Sequence, residues 1–417
     1  MNIRRRHFSR VIIILMFTAY SNVAAQAQLY NDSTLYPFFE QLRQADSQVV
    51  NILHLGDSHI QAGFLPEAAA RGFREKFGDA GAGWVFPYNL GGTNGPDSYR
   101  WSSPIRWSAD RVVDRNQAYW PGPGGIVIST MQPRPVLSFS AKQGSVSRIK
   151  VFYDAGPGKA PVFMSHADII QEDAGFPENG QQATIVPDSN LNAFQLRWPE
   201  HTGGSFRFYG ALLQNGACGV LYHAIGINGA QWMHYNQHAA TLPAQLHILQ
   251  PQLLIFSLGT NEAFGGGTAA QLRQEMERTM QTVREYAPEA AVLFTTPPYG
   301  MMKKRQIPYR KKVGTKTRTY YRVSYAANPQ VAVLRKEILE YCRNNGYACW
   351  DFYEAMRNDK RFARAWSNDR VHFNAYGYTL QGKLLYDAVA AAYDEWIKNN
   401  ELTDVFTGKP VERSEVQ

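Results

Sequence analysis

The stretch Val49-Val50-Asn51-Ile52-Leu53-His54-Leu55 runs directly into Gly56-Asp57-Ser58-His59. Its first part has the length and the apolar, β-branched character of a buried strand. The second part is a turn-forming break that carries a carboxylate, a hydroxyl and an imidazole. Parallel α/β sheets bind ligands just outside the carboxyl ends of their strands, so Ser58 is expected where chemistry takes place. More than 300 residues later comes Asp369-Arg370-Val371-His372-Phe373, whose carboxylate and imidazole are near enough to share one turn. A hydroxyl nucleophile needs an imidazole to take its proton, and a carboxylate to fix the imidazole tautomer and stabilise the imidazolium. Ser58, His372 and Asp369 supply all three. Singly, each has a plainer reading, because Asp-Ser pairs commonly cap helices and a histidine beside a phenylalanine commonly packs. Their combination points to a serine hydrolase.

Outward from this junction, the texture of the chain changes twice. Pro66 and the apolar positions Ala70, Phe73 and Phe77 predict a helix over Glu67–Phe77 after the strand. From about Tyr88 to Asn215 come short alternating runs separated by Gly, Pro, Asn and Asp, among them Val136–Ser140, Arg148–Tyr153 and Ser205–Tyr209. This spacing predicts a β-sandwich or jelly roll. Strand and helix patterns then alternate: strands at Gly219–Ile225, Leu253–Ser257, Ala291–Thr295 and Tyr347–Phe352, and helices at Ala269–Tyr286, Val331–Asn344 and Tyr376–Lys398. Such alternation implies a parallel sheet covered by helices on both faces. The expected organisation is a hydrolase domain in two parts, 28–87 and 216–400, around an inserted β-domain at 88–215, with a polar tail at 401–417.

Composition agrees. The 417 residues are 44% hydrophobic and 13% aromatic, enough to bury a large core and to argue against disorder. Arg4, Arg5, Arg6 and Arg10 precede the apolar run Val11–Tyr20 and the small residues Ala24, Ala25 and Ala27, which is the pattern of a secretory signal over 1–27. That run is shorter than the ~20 residues a spanning helix requires. Export to the periplasm or beyond, with no transmembrane segment after cleavage, is therefore expected.

Two segments can furnish an oxyanion hole, and each follows a predicted strand. In Gly226-Ile227-Asn228-Gly229-Ala230, glycine lets a backbone amide approach a ligand, and in Gly259-Thr260-Asn261-Glu262 the asparagine amide can donate. Either segment alone reads equally well as a turn.

The order Gly-Asp-Ser, Gly, Gly-x-Asn-Glu and Asp-x-x-His resembles the four blocks of the SGNH (GDSL-type) hydrolases. The resemblance implies a three-layer α/β/α fold, with Ser58 as nucleophile and Asp369 and His372 completing the triad. It also implies an oxyanion hole made by the Ser58 amide, Gly229 and Asn261. His59 stands where the name motif has leucine. That feature and the large insert resemble exported peptidoglycan O-acetylesterases, which carry a carbohydrate-binding-like β-domain inside the hydrolase. The implied activity is removal of O-acetyl groups from a cell-envelope polysaccharide, most simply peptidoglycan, with no cofactor or metal. Rival readings are an acetylesterase on plant or other glycans, a lipase or thioesterase, a polysaccharide O-acetyltransferase and a non-catalytic glycan-binding protein. Trp84, Trp101, Trp107, Trp120 and Trp198 of the insert are candidates for stacking on sugar faces, although the commoner role of such a residue is in the sandwich core.

The net charge of +8 is local. Nine cations and no acid fall between Met301 and Tyr325, interleaved with Tyr309, Tyr320 and Tyr321. This is either a solvated loop or a binding segment for an anionic polymer or surface. Export argues against nucleic acid. The three cysteines lack zinc-ligand spacing. Cys342 and Cys349 either pair in a small-loop disulfide or are buried thiols.

Overall fold

A computed structural model of the chain describes residues 29–407, apart from 156–159, 164–165, 177–179 and 200–203. The signal segment expected at 1–27, and the tail beyond 407, lie outside the described residues.

The apolar run becomes the strand Val49–Gly56, buried without interruption from Ile52 to Gly56. Burial on both faces is what a predominantly apolar run requires, and it places the strand inside a parallel sheet. Its parallel neighbours are Gly219–Gly226 on one side and Leu253–Ser257 on the other. Ala291–Thr295 and Ala348–Trp350 continue the parallel set, and Leu29–Tyr30 closes the edge antiparallel. The helices Tyr36–Arg43, Phe64–Phe77 and Ala375–Thr407 cover one face around Val50, Ile52 and Ile255. Helices Thr241–Leu249, Ala269–Tyr286 and Pro329–Asn345 cover the other face around Leu53, Leu55 and Leu254. The architecture is the three-layer α/β/α arrangement expected from the alternation.

Two antiparallel sheets form the insert. The larger has the order Ala167–Phe176, Gly180–Pro187, Arg148–Asp154, Phe206–Gln214, Ile126–Thr130, Ser108–Arg111. The smaller has the order Tyr99–Ser102, Val136–Ala141, Ala193–Arg197, Val162–Phe163. Trp101 sits between them, fully buried, with its ring 5.1 Å from Phe139 in its own sheet and 5.5 Å from Phe208 in the facing one. The insert is tied to the hydrolase more closely than the expected boundary at residue 88 suggests. Gly83–Val85 already pairs with Ala211–Leu213 in the larger sheet, and the Trp84 amide donates to His223 Nδ1 on the hydrolase strand. Trp120 donates to Thr241 Oγ1, and one apolar cluster runs from Leu53 and Leu55 into Trp101 and Phe208.

The structure decides two readings left open and corrects two others. Trp84, Trp101 and Trp198 are buried core residues and cannot stack on a sugar. The basic segment is not a loop: Met301–Val313 and Lys316–Ala327 form a long two-stranded antiparallel hairpin turned at Gly314. Alternation along it is between charged and polar or aromatic residues, so no hydrophobic period betrays the strands. Cys342 and Cys349 are both buried as free thiols. The last helix runs on to Thr407, past the expected end at Lys398, because no Gly or Pro stops it.

Candidate active site

Parallel register brings three sequence blocks to one place. Gly56 lies opposite Gly226 on one side and Ser257 on the other, so the chain leaves all three strands at the same level of the sheet. Only glycine fits at two of these exits. A Cβ on Gly56 would meet Ile60 Cγ1 at 2.3 Å and the Ser257 carbonyl at 2.8 Å. A Cβ on Gly226 would meet the Gln61 amide nitrogen at 2.4 Å. The close approach lets the turn after Gly56 fold tightly over the sheet edge.

Asp57 caps the short helix Ser58–Gln61 by accepting from the His59 amide at 2.9 Å. Ser58 is the first residue of that helix, where a backbone N–H points outward before the intrahelical pattern begins. Its hydroxyl lies 2.8 Å from His372 Nε2. His372 Nδ1 lies 2.7 Å from Asp369 Oδ2, so serine, imidazole and carboxylate form a continuous chain. The loop holds the carboxylate firmly: Asp369 Oδ1 accepts from the Ser367 hydroxyl at 2.7 Å and from the Val371 and His372 amides, each at 2.9 Å. Partial burial pushes the Asp369 carboxyl up, but the hydrogen bonds from His372, Ser367 and Val371 together outweigh it and hold the group well below the usual carboxylate range. An ionised Asp369 facing Nδ1 leaves Nε2 as the unprotonated nitrogen beside the serine.

Asn261 comes to the same corner. Its Nδ2 donates to the Ala230 carbonyl at 2.9 Å and to Asp57 Oδ2 at 3.2 Å, which fixes it beside the Ser58 turn. Gly229 has a left-handed φ of 83°, is exposed, and has open space where a Cβ would stand. It makes no direct link to Ser58. Its neighbours supply one: the Asn228 amide donates to Gln61 Oε1 at 2.6 Å.

Several further residues border the site, and of these Gln61, Thr93, Asn94 and Tyr235 had no signal strong enough to single them out. Gln61 lies one turn past Ser58 and donates to Thr93 Oγ1 and the Asn94 carbonyl, while Asn228 Nδ2 donates to Asn94 Oδ1. Thr93 and Asn94 belong to the Gly-rich start of the insert, which has no periodicity to read. The Tyr235 hydroxyl donates to the Gly56 carbonyl at 2.7 Å. Glu262, next to Asn261, accepts from the Trp232 amide at 2.8 Å and is buried. Burial pushes its carboxyl up to about 7, against the pull of that amide. Burial likewise pushes Asp57 up to about 8, opposed by the His59 amide and reinforced by Glu262. His59 is buried with neither ring nitrogen hydrogen-bonded among the described residues, and burial together with the nearby His372 drives it down to about 3.

The chain is similar in sequence and in fold to known proteins. Residues 188–380 match the family model described as GDSL-like Lipase/Acylhydrolase family. The matched segment contains Gly229, Asn261, Asp369 and His372. It leaves out Ser58, which the insert separates from the other blocks. No curated protein matches the sequence of the chain. The solved structure of a peptidoglycan O-acetylesterase superposes with a TM-score of 0.66 at 21% identity, covering 88% of this chain and 99% of its own, so the two share a fold. A lipase/acylhydrolase from Enterococcus faecalis aligns with a TM-score of 0.30 at 20% identity, over 41% of this chain and 76% of its own. A salicylyl-acyltransferase from a tetracycline biosynthetic pathway aligns with a TM-score of 0.29 at 13% identity, over 71% and 98%.

Proposed function

We propose, starting from the SGNH (GDSL-type) carboxylic-ester hydrolase domain that this chain carries, that it removes O-acetyl groups from peptidoglycan or a related polysaccharide of the cell envelope. The observation that carries the chemistry is the unbroken contact from Asp369 through His372 to Ser58. Ser58 Oγ attacks the acetyl carbonyl while His372 Nε2 takes its proton. Asp369 stabilises the imidazolium that forms. The tetrahedral oxyanion is received by the Ser58 amide, the Gly229 amide and Asn261 Nδ2, the last turning from its present acceptors toward the substrate. His372 then returns its proton to the sugar oxygen, which leaves as the alcohol. A water, activated by the same imidazole, releases acetate and regenerates Ser58.

Support for a glycan over a lipid comes from the site's surroundings. The polar group of Gln61, Thr93, Asn94 and Asn228 borders the nucleophile turn. Export to the envelope, which the N-terminal pattern favours, is part of this proposal. Acetate release from O-acetylated peptidoglycan and from O-acetylated xylan by the mature protein, with Ser58→Ala as control, tests it. Release from peptidoglycan, lost in the variant, supports the reading. Release from xylan alone moves the substrate to plant glycans, and no hydrolysis of any acetyl ester sinks the esterase assignment.

A further inference from the structure

The hairpin Met301–Ala327 is the largest feature that this chemistry leaves unused. Every residue from Lys303 to Arg322 is exposed, and none is acidic. Antiparallel register sets Ile307 against Arg322, Tyr309 against Tyr320, Lys311 against Arg318 and Val313 against Lys316. Since directly paired residues share a face and alternate residues along a strand do too, these eight line one side of the ribbon. That side therefore presents four cations around a pair of tyrosine rings 5.8 Å apart and 28° from parallel. The tyrosines remain 45% and 36% exposed although they touch.

Such a surface works against its own stability. Like charges directly opposite each other on a ladder repel, and with no acid anywhere in the ribbon nothing within it offsets Lys311 facing Arg318. A hairpin shaped only for solubility would mix signs. An anion arriving from outside relieves the repulsion. The base of the hairpin, moreover, is fastened to the loop that carries the imidazole and its carboxylate. The Met301 amide donates to the Arg370 carbonyl at 2.9 Å, the Tyr325 hydroxyl donates to the Asn368 carbonyl at 2.9 Å, and the Arg370 guanidinium lies 5.9 Å from the Tyr325 ring centroid. Thirteen residues of strand reach about 40 Å, so the arm is far longer than a small ester.

We infer that this hairpin is a capture arm for a polyanionic glycan, whose carboxylates sit among Lys311, Lys316, Arg318 and Arg322 while an acetylated sugar of the same chain lies at Ser58. The tyrosine pair offers flat apolar faces to sugar rings between the charged groups. A polymer is required, because a small ester bound at Ser58 does not span to the arm. The inference deepens the proposed function, since it names the anionic class of glycan that the site would serve.

The test uses full mature protein bearing Ser58→Ala, with and without Lys311→Gln, Lys316→Gln, Arg318→Gln and Arg322→Gln combined, in co-sedimentation with purified peptidoglycan sacculi. A variant with lysine and arginine exchanged at the same four positions controls for charge alone. The fourfold glutamine variant is expected to bind sacculi at least tenfold more weakly, and to lose most of the salt sensitivity that the charge-retaining variant keeps. With Ser58 intact, the same neutralisation is expected to slow acetate release from sacculi while leaving hydrolysis of p-nitrophenyl acetate within twofold. Equal binding by neutral and charged forms overturns the inference. So does tighter binding to phosphatidylglycerol vesicles or to duplex DNA than to sacculi. Charge-dependent binding without acetate release would leave the arm standing and remove the proposed activity. Acetate release unaffected by neutralisation would do the reverse.

Discussion

The imidazole of His59 lies against that of His372, with ring centroids 5.3 Å apart and planes 30° from parallel. Phe373 and Tyr378 close in edge-on at 6.3 Å and 5.5 Å, so His59 is walled into an apolar box behind the imidazole that contacts Ser58. Its two ring nitrogens make no hydrogen bond among the described residues. His59 thus packs face to face against His372. His59→Ala is expected to cost about 2–4 kcal/mol of stability through the cavity it opens. His59→Leu fills the volume and removes unsatisfied polar atoms, so stability should change by less than about 1 kcal/mol. In His59→Leu, kcat for acetyl-ester hydrolysis should fall severalfold with KM unchanged, because only the presentation of His372 is disturbed. Thermal melts and steady-state kinetics on the two variants check this.

The same histidine makes stability depend on acid. Its folded pKa of about 3 lies below the 6.5 of a free imidazole, so the folded state binds fewer protons than the unfolded state across that interval. The stabilisation is complete above pH 6.5 and drains away as pH falls toward 3. His59→Leu should therefore lose less melting temperature than the wild type between pH 7 and pH 4.5. Parallel curves would exclude His59 as the titrating group.

Asp57 and Glu262 make the opposite dependence. Their folded values of about 8 and about 7 lie above those of free carboxyls, so their contribution is complete below pH 4 and is lost as pH rises through 7 and 8. Glu262→Gln keeps an acceptor for the Trp232 amide and removes a buried carboxylate that pushes Asp57 upward. It should be nearly neutral at pH 5 and stabilising by on the order of 2 kcal/mol at pH 9, where the wild type must ionise or hold a proton against the solvent. Chemical denaturation at the two pH values reads the difference directly.

Asp369→Asn leaves the loop able to accept hydrogen bonds but puts an amide where the imidazole needs an anion. A fall in kcat of roughly 10⁴ is expected, as for the loss of a carboxylate that fixes the tautomer. Asn261→Ala should cost roughly 10²–10³ in kcat, the size of one oxyanion donor, with KM little changed. A loss of less than tenfold in kcat for Asn261→Ala would remove it from the oxyanion hole.

Gly56→Ala tests the tight turn. With Ile60 Cγ1 only 2.3 Å and the Ser257 carbonyl 2.8 Å from the added methyl, the turn must move away from the neighbouring strand. The loss should exceed about 3 kcal/mol or prevent folding, whereas Gly346→Ala, with nothing within 4 Å of its Cβ position, should cost only the strain of its left-handed φ, about 1 kcal/mol.

The layered hydrolase fold was legible because burial writes itself into local patterns. Val49–Leu55, Leu253–Ser257 and Ala291–Thr295 are predominantly apolar, as strands covered on both faces tend to be, and Ala269–Tyr286 carries a helical period from end to end. Ser58, Asp369 and His372 could be picked out together because their side-chain chemistry is rare in combination. The basic hairpin escaped, since its strands bury nothing and so have no apolar alternation to show. The tryptophans of the insert stayed open between core and sugar platform for a related reason: an indole in a short strand has the same sequence context whether its neighbours are a facing sheet or a sugar.

The sequence by itself determined which groups are available: a hydroxyl at the end of a buried strand, an imidazole and carboxylate one turn apart, and glycines wherever the backbone must pass close to another strand. Tertiary structure alone decided that Gly56, Gly226 and Ser257 end at one level, that His59 backs His372, that Asp57 and Glu262 share a dry corner beside Asn261, and that the hairpin is rooted in the His372 loop. These are relations between residues tens to hundreds apart in the chain. They arise from packing and desolvation, which depend on every neighbour at once and leave no local trace in the order of amino acids.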